Sequence, residues 1–133
     1  MRHLTRYKVG SLYEVSNDPD RLDGLEYHYS RQSVASIKAG IAGISKALDA
    51  DGGLLAGLPA TDPLLKTLQT LLSVLTDTAA RLPDPIEGSS FSTQQVAVLQ
   101  SLSLHLEALH TLLETQLIPA LGLTVDFNSE DGD

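Results

Sequence analysis

The chain has no cysteine and no tryptophan, and aromatic residues make up only 5% of its 133 positions. The lack of cysteine excludes disulfides, thiolate nucleophiles and thiolate-held metals, and leaves the redox compartment undecided. With so few aromatics, the core has to be built from Leu, Ile, Val and Ala. No uninterrupted apolar run reaches membrane-spanning length, so no membrane span is expected. The N-terminus, Met1-Arg-His-Leu-Thr-Arg-Tyr-Lys8, is basic but lacks the apolar stretch of a signal peptide, which places any export signal outside these residues. Positive charge is also missing from one part of the chain. Residues 82–133 hold eight acidic side chains and no Lys or Arg, whereas residues 1–81 hold nine of each sign. The whole net charge of −8 therefore sits in the C-terminal part. Such a surface repels phosphate backbones, which argues against nucleic-acid binding. It suits a solvated acidic face or loose attraction of cations.

What the chain does have is leucine at helical spacing. Leu99, Leu102, Leu106, Leu109 and Leu113 recur at steps of 3, 4, 3 and 4, flanked by Val98, Leu112, Leu117 and Leu121. This predicts an amphipathic helix from Thr93 of about 28 residues and about 42 Å, closed by Pro119 and Gly122. An extended stretch to Phe127 and an acidic end to Asp133 are expected to follow. A leucine stripe of this length has to be buried, because each wet leucine forgoes about 1.5–3 kcal/mol.

Two earlier segments carry the same signal. Val34, Ile37, Ile41, Ile44 and Leu48 predict a helix over 33–48, capped by Ser30 or Ser33 and ended by Asp49-Ala-Asp-Gly-Gly53. Its small residues Ala39, Gly40, Ala42 and Gly43 suit close helix packing. Leu64, Leu65, Leu68, Leu71, Leu72 and Leu75 predict a second helix over 62–81, capped by Thr61 or Asp62, with Pro63 in its first turn and Pro83 and Pro85 as its stop. Leu54-Leu-Ala-Gly-Leu-Pro59 reads as a loop with apolar side chains to bury. The expected fold is all-α: an up-down bundle of three main helices over residues 30–133, preceded by a loop-rich arm over 1–29. Tyr7, Tyr13, Tyr27 and Tyr29 cluster in that arm, where they either pin it to the bundle or line a groove.

The C-terminal residues also carry a resemblance. Pro119-Ala-Leu-Gly-Leu-Thr-Val-Asp-Phe-Asn-Ser-Glu-Asp-Gly-Asp133 resembles the C-terminus of imelysin-like proteins, with Leu121, Gly122, Phe127, Asp131, Gly132 and Asp133 on the motif positions. Arg81-Leu-Pro-Asp-Pro-Ile86, Leu25-Glu-Tyr-His-Tyr-Ser30 and Tyr7-Lys-Val-Gly10 resemble further family segments in the right order. The resemblance covers most of this chain but only the C-terminal half of a typical member. It implies a helical protein of the bacterial periplasm or outer envelope, iron-regulated and linked to iron uptake, some members being described as metallopeptidases. It also implies that iron or zinc would belong to an intact protein. The family's G-x-H-x-x-E signature is absent: His3, His28, His105 and His110 have no glutamate three positions on. A scaffold or binding half without its own catalytic motif is the leading expectation. Two alternatives stand beside it. One is part of a metallopeptidase whose signature lies in a missing half; the other is a helical module that pairs with a second copy.

Among the residues themselves, Glu107, His110 and Glu114 form the best local metal candidate, lying within about 60° of one another on the last helix. Glu-x-x-His is the half-motif of di-iron bundles, but facing helices supply no matching carboxylates, and a solvated polar face is the plainer reading. His105 sits at the edge of the leucine stripe and reads as a half-buried histidine. Asp126, Asn128 and Glu130 alternate as calcium-loop ligands do, yet the glycine and closing glutamate of that loop are missing. No serine occupies a nucleophile elbow, and no phosphate-cradling glycine loop follows a strand.

Overall fold

The computed structural model describes Val9, residues 32–84 and residues 92–123. Helix accounts for 77% of these residues, and no strand occurs among them. The all-α bundle of three main helices is thus the observed architecture. Helix α1 is Ser33–Ala47, α2 is Pro63–Ala80 and α3 is Thr93–Leu112. The chain winds on from α3 through a π turn, Leu113–Leu117, and a last helical turn, Ile118–Ala120. Of the predicted arm only Val9 is described; the remainder, the link over 85–91 and the tail beyond Leu123 lie outside the described residues.

Each helix starts for a local reason. Asp62 caps α2 by accepting a hydrogen bond from the Leu64 amide at 2.9 Å, and Pro63 takes the first helical position, as the sequence predicts. Ser92 caps α3 in a reciprocal box. Its Oγ accepts from the Gln95 amide at 3.2 Å, while Gln95 Oε1 accepts from the Ser92 amide at 2.9 Å. Ser92→Ala is expected to cost about 1 kcal/mol in chemical denaturation. At α1 the cap differs from expectation. Gln32 holds the capping position without a side-chain cap, and Ser33 is already inside the helix and buried. Ser30, the other candidate, lies outside the described residues.

The helix ends are equally local. Beyond α1, the Asp51 amide donates to Asp49 Oδ1 at 3.2 Å and the Gly53 amide to the Asp49 carbonyl at 2.8 Å, turning the chain sharply. Leu54–Gly57 then forms a 3-10 turn that buries Leu55, with Leu58 buried just after it. At the far end, the helix does not stop at Pro119 but continues to Ala120. In a regular α-helix the Pro119 ring would press on the carbonyl of Thr115, four residues back. Thr115 belongs to the π turn, whose wider winding moves that carbonyl aside. Gly122 makes the actual stop at φ 66°, with its amide on the Pro119 carbonyl at 3.0 Å and the Leu123 amide on that of Ile118 at 3.1 Å. This pairing is the glycine-terminated Schellman arrangement.

The predicted stripes face the core, although Ile44 and the α2 leucines Leu64, Leu65, Leu71 and Leu72 are only partly buried against it. Val34, Ile37, Ile41 and Leu48 from the first segment, Leu68, Leu75 and Ala79 from α2, and Leu99, Leu102, Leu106 and Leu109 from α3 share one core cluster with Val9. One register differs. Leu113 is only partly buried, and Leu117, beyond the π turn, takes the fully buried place. Close packing through small residues is not realised at Ala39, Ala42 and Gly43, which are exposed. A Cβ on Gly43 would meet nothing within 4 Å. Gly43→Ala is therefore expected to stabilise the protein by about 0.5–1 kcal/mol, read as a raised denaturation midpoint.

Helix α2 runs antiparallel to α3. Leu82 and Pro83, just past its C-terminus, share a recess with Ser92 and Val98 at the start of α3, while Lys66 to Val74 lie beside His105 further along. The 3-10 turn lies at the end where α3 finishes, since a Cβ on Gly57 would meet the Leu121 side chain at 2.7 Å. By length and composition, the 28 residues of Thr93–Ala120 are also apolar enough to cross a membrane, a property that counting uninterrupted runs does not register. In this fold its leucine face is core.

Candidate functional site

A concavity formed by described residues lies where α2 crosses the middle of α3. It is an open groove of about 520 Å³ lined by Pro63, Lys66, Thr67, Thr70, Leu71, Val74 and His105. Helical spacing creates it: Lys66, Thr67, Thr70 and Val74 lie three and four residues apart on one face of α2. Its chemistry is modest. Thr67 donates its hydroxyl proton to the Pro63 carbonyl at 3.0 Å, and Thr70 donates to that of Lys66 at 2.9 Å. Both hydroxyls are thus engaged by their own helix. Lys66 is exposed and supplies a positive charge at the rim.

His105 is half-buried, as expected, with Nδ1 3.3 Å from Ser101 Oγ one turn earlier. A serine and a histidine at this distance invite comparison with a nucleophile and its base. Such a pair needs a third group to orient the imidazole and donors for a developing oxyanion. The groove lining includes no carboxylate. The arrangement can hold a small amphipathic molecule with a negative group near Lys66.

On the outside of the same helix, His110 Nε2 lies 3.2 Å from Glu114 Oε1, with side chains 27% and 32% exposed. The pair is ionic only when His110 is protonated. Glu107 is exposed and does not join them: among the described residues, no group of three or more His, Asp or Glu side chains is positioned to hold a metal ion. Geometry explains the separation. Glu107 and Glu114 stand seven residues apart, about 10 Å along the axis, with His110 between them, so the two carboxylates are awkwardly far apart for one ion. The candidate calcium positions Asp126, Asn128 and Glu130, and the motif positions Phe127, Asp131, Gly132 and Asp133, lie outside the described residues; Leu121 and Gly122 end the last helical turn, Ile118–Ala120.

The groove residues Lys66, Thr67 and Thr70 were not singled out by their sequence pattern. A lysine and two threonines on the polar side of a helix have the signature of an ordinary solvated face, and only the crossing of α3 turns that face into a groove. A second recess, about 320 Å³, lies at the opposite end between Arg81, Leu82, Pro83 and the first turn of α3. Arg81 there is the last positive side chain before the acidic C-terminal part. Comparison with protein-family models, with curated proteins and with solved structures finds no match to this chain.

Proposed function

We propose that the chain is the C-terminal helical half of an imelysin-like envelope protein associated with iron acquisition, acting as a scaffold or binding half. The observation that carries this reading is the ordered series of family-like segments ending in Leu121-Gly122, Phe127 and Asp131-Gly132-Asp133. Two structural features support it. The all-helical bundle is the architecture that the resemblance implies. The described side chains also offer a surface that suits binding: an open groove with one lysine, beside a histidine hydrogen-bonded within its own helix.

In this reading iron or zinc belongs to the H-x-x-E half of an intact protein. Exposed Glu107 and half-buried His110 and Glu114 lend at most weak ligands to a passing cation. The partner is then the other half, and the site of action the periplasm or outer envelope. Blotting fractionated source cells with an antibody against the acidic tail tests the proposal. An envelope species several times larger than 14.2 kDa that rises under iron limitation is the expected result. A cytosolic species of 14.2 kDa, indifferent to iron, would overturn it.

A further inference from the structure

Two features meet in the groove between α2 and α3. The first is a cation without a partner. Lys66 is exposed on the groove, and among the described residues no carboxylate pairs with it, although the chain as a whole stands at −8. The second is a floor with little polar chemistry of its own. Leu71 and Val74 are half-buried there, and the hydroxyls of Thr67 and Thr70 donate back to carbonyls of their own helix. His105 walls the α3 side, with Nδ1 already engaged by Ser101 Oγ at 3.3 Å. A single positive charge beside an apolar track is complementary to an amphiphile with one negative end.

We infer that this groove binds a straight-chain monocarboxylate, the anion of a medium-chain fatty acid, with its carboxylate on Lys66 and its alkyl chain along α2 over Leu71 and Val74. The charge fits a monoanion. An ammonium is a point charge rather than a planar fork, so a phosphate dianion or a dicarboxylate would leave its second charge without a partner in the groove. The length fits as well. Lys66 and Val74 stand eight residues apart, about 12 Å along the helix, and an extended chain of about ten carbons reaches about as far. The volume, about 520 Å³, falls inside the range of small-molecule sites, about 300–1,000 Å³. Such a ligand requires none of the family-like segments, so its binding and the envelope assignment stand or fall separately.

Titrating decanoate, below the concentration at which it aggregates, into the isotope-labelled full chain and following amide chemical shifts tests this assignment. Saturable shifts at one site, centred on Lys66 to Val74 and His105, are expected. Lengthening the ligand from octanoate to decanoate should tighten binding about two- to fourfold per methylene. Lys66→Gln, at an exposed position, should weaken it about fivefold, Lys66→Arg should retain it, and Lys46→Gln on α1 should leave it unchanged. Decanol on the unaltered chain reads the same charge contribution without any substitution, and should bind about fivefold more weakly than decanoate. Shifts that never saturate, or that saturate away from the groove, would overturn the assignment. So would decanol or decyl phosphate binding as tightly as decanoate, or a Lys66→Gln chain that binds decanoate as well as its parent.

Discussion

Leu106→Ala is expected to lower the unfolding free energy by about 2–5 kcal/mol, the range for emptying a buried leucine site. Leu106 is fully buried at the centre of the α3 seam, between Leu102 and Leu109, which are equally dry. A domain of this size is usually stable by only about 5–15 kcal/mol, so a single truncation here removes a large share of that. Leu104, two residues earlier on the same helix, is 59% exposed. Leu104→Ala should change stability by no more than about 0.5 kcal/mol. Urea denaturation followed by far-ultraviolet circular dichroism measures both. Equal losses at the two positions would mean that α3 is not oriented as described.

Gly53→Ala is the second large effect, expected to cost about 1–3 kcal/mol through overpacking against backbone. A Cβ at Gly53 would collide with the backbone of Ala47, the last residue of α1, and of Asp49 just beyond it, onto which the chain folds back. Backbone atoms held by the Gly53 amide to Asp49 carbonyl bond, 2.8 Å long, cannot yield as the end of a flexible side chain can. Gly52 provides the control, because a Cβ there meets nothing within 4 Å. Gly52→Ala should leave the denaturation midpoint nearly unchanged or raise it slightly. Should both alanine variants behave alike, the tight turn after α1 is not what holds Gly53.

The comparison of sequence with structure divides along physical lines. The three helices and their inward faces were legible because each segment repeats apolar residues at helical spacing and carries its own stop signals. Asp62 with Pro63 announced the start of α2, whereas the Ser92–Gln95 capping box of α3 was not singled out in the sequence. The exchange of Leu113 for Leu117 was not legible, since it depends on a π turn that accommodates Pro119 rather than on the leucine spacing. Val9 gave no signal either. A single valine in a segment without helical period becomes a core residue only through tertiary packing. The α2–α3 groove was hidden for a similar reason, because its residues are individually ordinary and gain meaning from a helix crossing.

The metal candidate shows where spacing alone runs out. Glu107, His110 and Glu114 share a face, which the sequence states, and the structure joins the last two at 3.2 Å. Sharing a face is a condition on angle; chelation is also a condition on distance along the axis, and Glu107 stands two helical turns from Glu114. The proposed division of labour rests on the family-like segments instead. A half that scaffolds or binds can present an acidic surface and a leucine-built core, leaving tight metal capture to ligands it does not itself carry.

Isothermal titration of ferrous iron and of zinc into the purified chain tests that central claim most directly. The account predicts weak, non-saturating heats that vanish as salt is raised, the behaviour of a screened acidic surface. Saturable binding in the micromolar range or tighter, lost on replacing His110 by alanine, would contradict it and make this chain a metal-binding module in its own right.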